Sequence, residues 1–183
     1  MEYTQEPVDE PLIKSEPHTS GVDQVMKKTP PKNLADAMVK GLRPKQWVKN
    51  VLVLAAPLAA GADSFNSRTA VDILLAFVVF CCGASSIYLI NDARDVESDR
   101  EHPTKRFRPI ASGMLPINLA YGMAAVLIAA ALGLSFLATD GGALAWVIGI
   151  YIALQLGYCF GWKHIPVIDI ALVSSGFMLR TMA

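Results

Sequence analysis

Charged and apolar residues separate along this chain instead of alternating. Most of the charge lies in residues 1–49 and 91–108, with long apolar segments between and after. A soluble domain spreads charge over every exposed helix face, whereas a membrane protein collects it in loops. The pattern predicts five apolar segments, at about 48–61, 70–90, 117–138, 143–162 and from 167 onward. The middle three approach or reach the roughly 20 residues that a helix needs to cross a bilayer. The first is short. The fifth is still apolar at Ala183, which predicts that the chain is the N-terminal part of a longer protein, truncated within its fifth transmembrane helix. The expected fold class is all-α, a polytopic membrane helix bundle.

Two domains are expected. Residues 1–32 form a disordered cytoplasmic tail, and residues 33–183 form the N-terminal part of a transmembrane domain. The tail is rich in acids and prolines, holds no apolar run and cannot offset its ordering entropy. For the same reason it is no signal peptide. At the start of the second domain, Asn33 is placed to cap a short helix, with Asp36 as the reciprocal acid. Leu34, Met38, Val39 and Leu42 then share one side, as in an interfacial amphipathic helix. Arg43, Lys45 and Lys49, with Trp47 among them, mark the membrane boundary.

Loop charge sets the orientation. Lys40, Arg43, Lys45 and Lys49 precede the first segment, and Arg94, Arg100, Lys105, Arg106 and Arg108 follow the second. Lys163 follows the fourth, while Arg68 is the one basic residue in the alternate loops. The positive-inside rule then places the N-terminus and the 91–116 loop in the cytoplasm. With 53% apolar residues and zero formal net charge, the composition carries no nucleic-acid footprint. Cys81, Cys82 and Cys159 sit in apolar stretches without paired spacing and read as small buried hydrophobes. Gly83, Ala84, Ser85 and Ser86, and the Gly157/Gly161 pair, suit close helix packing.

The chemistry concentrates in residues 91–109. If the second helix continues, Asn91, Asp95 and Asp99 stack along one face at i, i+4 and i+8, with Asp92 beside them. Like charges at that spacing repel unless a cation relieves them. Oxygen ligands without His or Cys suit magnesium, with manganese as an alternative. Lys105, Arg106 and Arg108 follow and can take phosphate oxygens. His102 reads as a loop residue. From spacing alone, a solvated charged loop accounts for these residues equally well.

The same residues carry a resemblance. Asn91-Asp92-x-x-Asp95-x-x-x-Asp99, followed by Lys105 and Arg108-Pro109, resembles the first aspartate-rich motif of the UbiA superfamily of intramembrane prenyltransferases. Three further segments resemble its decaprenyl-phosphate phosphoribosyltransferase branch: Leu42 to Asn50, His102 to Ala111, and Asp169 to Arg180. The resemblance covers about residues 40–183 and implies a UbiA-type bundle, in the membrane of a bacterial cell, around a cavity open to the cytoplasm. It implies transfer of 5-phosphoribose from phosphoribosyl pyrophosphate to decaprenyl phosphate, for cell-wall arabinan synthesis. A homo-oligomer is compatible with it.

Under this resemblance Asn91, Asp95 and Asp99 are catalytic and hold the metal with Asp92. Gln46, Lys49, Asn50, Lys105, Arg106, Arg108, Tyr158, Lys163, Asp169 and Arg180 contact substrate. Lys49 and Arg108 are the candidates for the phosphate on carbon five. Blander roles stay open: interfacial anchoring for Lys45, an aromatic belt for Tyr158, snorkelling for Lys163 and a structural ion pair for Asp169 or Arg180. Two other functions share the metal motif. One is transfer of a prenyl group from a prenyl diphosphate to an aromatic acceptor; the other is divalent-ion binding by a non-catalytic transporter or sensor.

Overall fold

The computed structural model describes residues 30–55, 66–138, 142–160 and 174–180. Regular structure among them is entirely helical. In chain order it comprises α1 (Leu34–Gly41), a 3-10 helix (Pro44–Leu54), α2 (Ser67–Arg94), α3 (Val96–Glu101), a 3-10 turn (Lys105–Phe107), α4 (Ile117–Ser135) and α5 (Ala143–Phe160). Residues 174–180 are also helical. The expected tail falls almost wholly outside the described residues, as do Gly161, Lys163 and Asp169.

Helices α2, α4 and α5 are long and apolar enough to cross a membrane. They correspond to the second, third and fourth predicted segments. The second is longer than its hydropathy suggests. Asn66 caps its start by accepting from the N–H groups of Arg68 and Thr69, and the helix runs on through Arg94.

The first predicted segment differs from a spanning α-helix. Its described part is wound as a 3-10 helix over Pro44–Leu54. That winding stacks every third residue in one column. Trp47, Asn50 and Val53 form such a column facing α2: the Trp47 indole donates to Ser85 Oγ (3.0 Å), the Asn50 amide donates to Cys81 Sγ (3.2 Å), and Val53 is buried. Inward positions three apart match the 3-10 repeat better than the α repeat.

The capping expectation for α1 holds in part. Asn33 Oδ1 accepts from the Asp36 N–H at 2.8 Å, while Asp36 reaches back to the N–H of Lys32, not of Asn33. A hydrogen bond from Lys40, together with the Lys32 N–H, holds the exposed Asp36 carboxyl below the usual carboxylate range. The predicted apolar face is rotated. Ala37 and Gly41 are buried and Met38 and Leu42 pack beside them, whereas Leu34 and Val39 are exposed.

Helix α2 is the centre of the bundle and packs on α4, α5 and the 3-10 helix. The expected small-residue cluster includes Gly83, which packs against Ile148 and Tyr151 of α5. A Cβ added to Gly83 would stand 3.0 Å from Ile148 Cδ1, so a larger residue would force the Ile148 side chain to shift. Phe80 meets Tyr151 edge-on nearby, with ring centroids 5.4 Å apart. A second apolar cluster joins Ala37 of α1, Leu89 and Ile90 of α2, Val96 of α3, Ile110 and Leu115 of the loop, and Ala120 of α4. This cluster folds the charged loop back against the end of α2, so the loop is a packed structure rather than a solvated strand of charges.

Candidate active site

The acidic motif sits where α2 ends. The chain bends at Asp95 (φ −90°, ψ 12°), which separates α2 from α3. Helical bonding still crosses the bend: the Asp95 N–H donates to Asn91 O (2.9 Å) and the Asp99 N–H to Asp95 O (2.8 Å). The acids nevertheless do not stand in single file. Asn91 Nδ2 pairs with Asp95 Oδ2 at 3.3 Å. Asp92 and Asp99, only 3% and 2% exposed, face the loop instead.

Two arginines bind that second pair. Arg43 Nη2 lies 2.6 and 2.8 Å from the two oxygens of Asp92. Arg108 Nη1 bridges the carboxylates, 3.1 Å from Asp92 Oδ1 and 2.6 Å from Asp99 Oδ2. The repulsion that the sequence leaves to a metal is therefore relieved here by guanidinium groups. Arg43 is the one non-glycine residue with positive φ (54°) among the described residues. A left-handed backbone costs about 1–3 kcal/mol and persists where surroundings enforce it. Asp92 on one side and the Tyr88 ring on the other, 4.8 Å from the guanidinium carbon, do so here.

The remaining predicted residues divide. His102 Nδ1 accepts from the N–H groups of Thr104 (3.2 Å) and Lys105 (3.4 Å), which agrees with a loop role. Arg106 is exposed over the Phe107 ring, and Lys105 is half-buried; beyond them, Arg108 pairs with the aspartates. Tyr158 is half-buried in the last turn of α5, beside Cys159, whose Sγ lies 3.7 Å from Asn91 Oδ1. Gln46 is half-buried and Lys49 is exposed.

Asn50, expected at the substrate, is instead fully buried. Its amide nitrogen donates to Cys81 and its oxygen accepts from Arg180 Nε at 2.7 Å. Arg180 also donates to the Tyr151 hydroxyl (3.0 Å) and to the Gly176 carbonyl. These neutral partners tie the 3-10 helix, α2, α5 and residues 174–180 together in the apolar interior. Truncating Arg180 would leave the Asn50 side-chain oxygen and the Tyr151 hydroxyl without the donor they accept from, at about 1–3 kcal/mol each. We expect Arg180→Met to lower stability by about 3 kcal/mol, read from thermal unfolding in detergent. An unchanged midpoint would show that this network does not hold the helices.

A cavity of about 520 Å³ opens beside the arginines, lined in part by Lys40, Arg43, Lys45, Gln46, Asp92 and Arg108. Asn91 and Asp95 do not line it. Among the described residues, no three Asp, Glu, His or Cys side chains group to hold a metal ion. Asp92, expected as a ligand, is occupied as the anchor of two arginines. The donor chemistry of Asn91, Asp95 and Asp99 still suits magnesium, which takes few protein oxygens and fills its shell with water and phosphate.

Residues 50–183 match the UbiA prenyltransferase family, most of the chain and all of the acidic motif. The chain belongs to that family. Among curated proteins it is 76% identical over 173 residues to a decaprenyl-phosphate phosphoribosyltransferase of Corynebacterium glutamicum, covering 94% of this chain and 52% of that protein. Proteins of the same name from Mycolicibacterium smegmatis and Mycobacterium tuberculosis are 57% and 52% identical over 157 residues, covering 84% of this chain and 49% and 51% of theirs. The chain thus spans about half the length of the curated relatives it matches. Family and apolar helices together make this a membrane protein.

Proposed function

We propose that the full-length protein transfers 5-phosphoribose from phosphoribosyl pyrophosphate to a polyprenyl phosphate, normally decaprenyl phosphate, and releases diphosphate. The observation that carries this reading is 76% identity, through the whole acidic motif and loop, to a protein named for that activity. The arginine-aspartate geometry supports it, because both substrates and the leaving group are phosphates.

The division of labour follows from the side chains. Asn91, Asp95 and Asp99 would hold magnesium, which would supply positive charge to the diphosphate leaving group. Arg108 stands between Asp99 and the cavity, where it can turn from the carboxylates to an incoming phosphate. The lipid phosphate is already an anion, so its oxygen attacks the anomeric carbon without a strong base. The C–O bond to diphosphate breaks as the new C–O bond forms. The reaction takes place at the cytoplasmic face of a bacterial cell membrane, in the orientation that loop charge favours. The product supplies cell-wall arabinan synthesis.

The test is an assay of the full-length protein in detergent with labelled phosphoribosyl pyrophosphate and decaprenyl phosphate. A parallel arm offers a prenyl diphosphate with an aromatic acid. We expect labelled lipid in the first arm alone, lost in excess EDTA and restored by magnesium or manganese. Product only in the second arm would overturn the phosphoribose reading. Full turnover in EDTA would overturn the metal.

A further inference from the structure

The cavity beside the acidic motif has a character that the motif does not explain. Four cationic side chains line it, Lys40, Arg43, Lys45 and Arg108, against the single carboxylate of Asp92. Positive-inside anchoring would leave such cations splayed toward headgroups and water. Here two of them are fixed. Arg43 is held on a left-handed backbone, and one buried aspartate grips both guanidinium groups. Each guanidinium has five N–H donors, and Asp92 and Asp99 engage only some of them. Lys45 is exposed at the cavity wall, and its ammonium group makes no hydrogen bond or ion pair with any described residue. Lys40 is partly neutralised by Asp36, 2.8 Å away. Lys49, the residue first expected to meet a second anion, does not line the cavity.

We propose that this cavity is a phosphate-monoester site, sharing Asp92 with the acidic motif but set apart from Asn91 and Asp95 and independent of metal. Arg43, Lys45 and Arg108 bind the phosphate dianion, Gln46 adds a neutral donor, and Asp92 positions the two arginines. A cluster of this charge suits a dianion better than the singly charged diester of a lipid headgroup. The volume, about 520 Å³, exceeds what a bare phosphate fills and leaves room for an attached sugar. The proposal rests on the phosphoribose reading in one respect: it makes this the place where the donor's phosphate on carbon five is recognised.

The experiment measures ribose 5-phosphate binding to EDTA-treated full-length protein by calorimetry, with ribose as control. We expect ribose 5-phosphate to bind and ribose not to. Lys45→Ala, an exposed truncation that leaves the core intact, should weaken binding about tenfold. Lys40→Ala should weaken it less, and Asp95→Asn should leave it unchanged. A strict requirement for magnesium would overturn the proposal, as would wild-type affinity in Lys45→Ala. Repeating the titration in nanodiscs of phosphatidylcholine and of phosphatidylglycerol separates the sources of phosphate. Equal affinity supports a soluble monoester; loss of binding in phosphatidylglycerol assigns the cavity to headgroups and overturns it. Turnover is measured in parallel. An active enzyme that fails to bind ribose 5-phosphate sinks the subsite alone, and an inactive one that binds it sinks the reaction alone.

Discussion

Asp95→Asn and Asp99→Asn will each lower turnover of the full-length protein by about a hundredfold or more, the scale for losing one preorganised electrostatic contact at a reacting group. Both substitutions keep side-chain volume and remove one negative charge. Asp95 lies at the bend between α2 and α3, beside Asn91, and its loss strips charge from the oxygen set offered to magnesium. Asp99 has a second task, because its Oδ2 holds Arg108 at 2.6 Å. Neutralising it also loosens that arginine, which then has only Asp92 to hold it. The apolar spans are untouched, so both variants should insert and elute from gel filtration like wild type. Initial rates at saturating substrates, normalised to folded protein, check the expectation. A near-wild-type rate in either variant would place the chemistry elsewhere.

Asp92→Asn will separate two roles that the motif alone leaves merged. If Asp92 anchors Arg43 and Arg108, its neutralisation frees Arg43, leaves Arg108 on Asp99 alone, and keeps the metal ligands in place. Charge-assisted contacts are worth about 1.5–3 kcal/mol each. Losing the alignment of two should weaken phosphoribosyl pyrophosphate about a hundredfold. Manganese affinity, followed by electron paramagnetic resonance in the absence of substrate, should be essentially unchanged. If Asp92 is a metal ligand, the pattern inverts and manganese affinity falls first. Arg43→Lys provides a check on the same pair. A lysine has no planar fork to grip the carboxylate and stack on Tyr88 together, so it should reproduce part of the donor defect.

The helical segments and the acidic helix end were legible without the structure, for a local reason. Span length and lack of charge belong to consecutive residues, and so does the i, i+4 spacing of Asn91 and Asp95. The family likeness rested on those same contiguous motifs, and the match over residues 50–183 agrees with it. Where a reading needed the rotation or pitch of an element, it was less secure. Leu34 and Val39 belong to the apolar side of an ideal α1 wheel, yet the loop cluster receives the neighbouring face. The 3-10 winding of Pro44–Leu54 depends on which residues α2 draws inward, and no pattern within those residues states that.

The sequence by itself thus determined that this chain enters a membrane, where its helices run, and which loop carries its acids and bases. Hydropathy and charge act on each residue through the solvent around it, so they leave their mark in the linear order. Only the tertiary structure decided which charges meet. Arg43 and Asp92 are 49 residues apart, and Asn50 and Arg180 are 130 apart. Their pairing depends on how α1, the 3-10 helix, α2, α5 and the loop pack. The same packing turned Asp92 from one more carboxylate in a row into the anchor of two arginines. It also turned Asn50 from a residue at the mouth of a span into a partner of a buried cation.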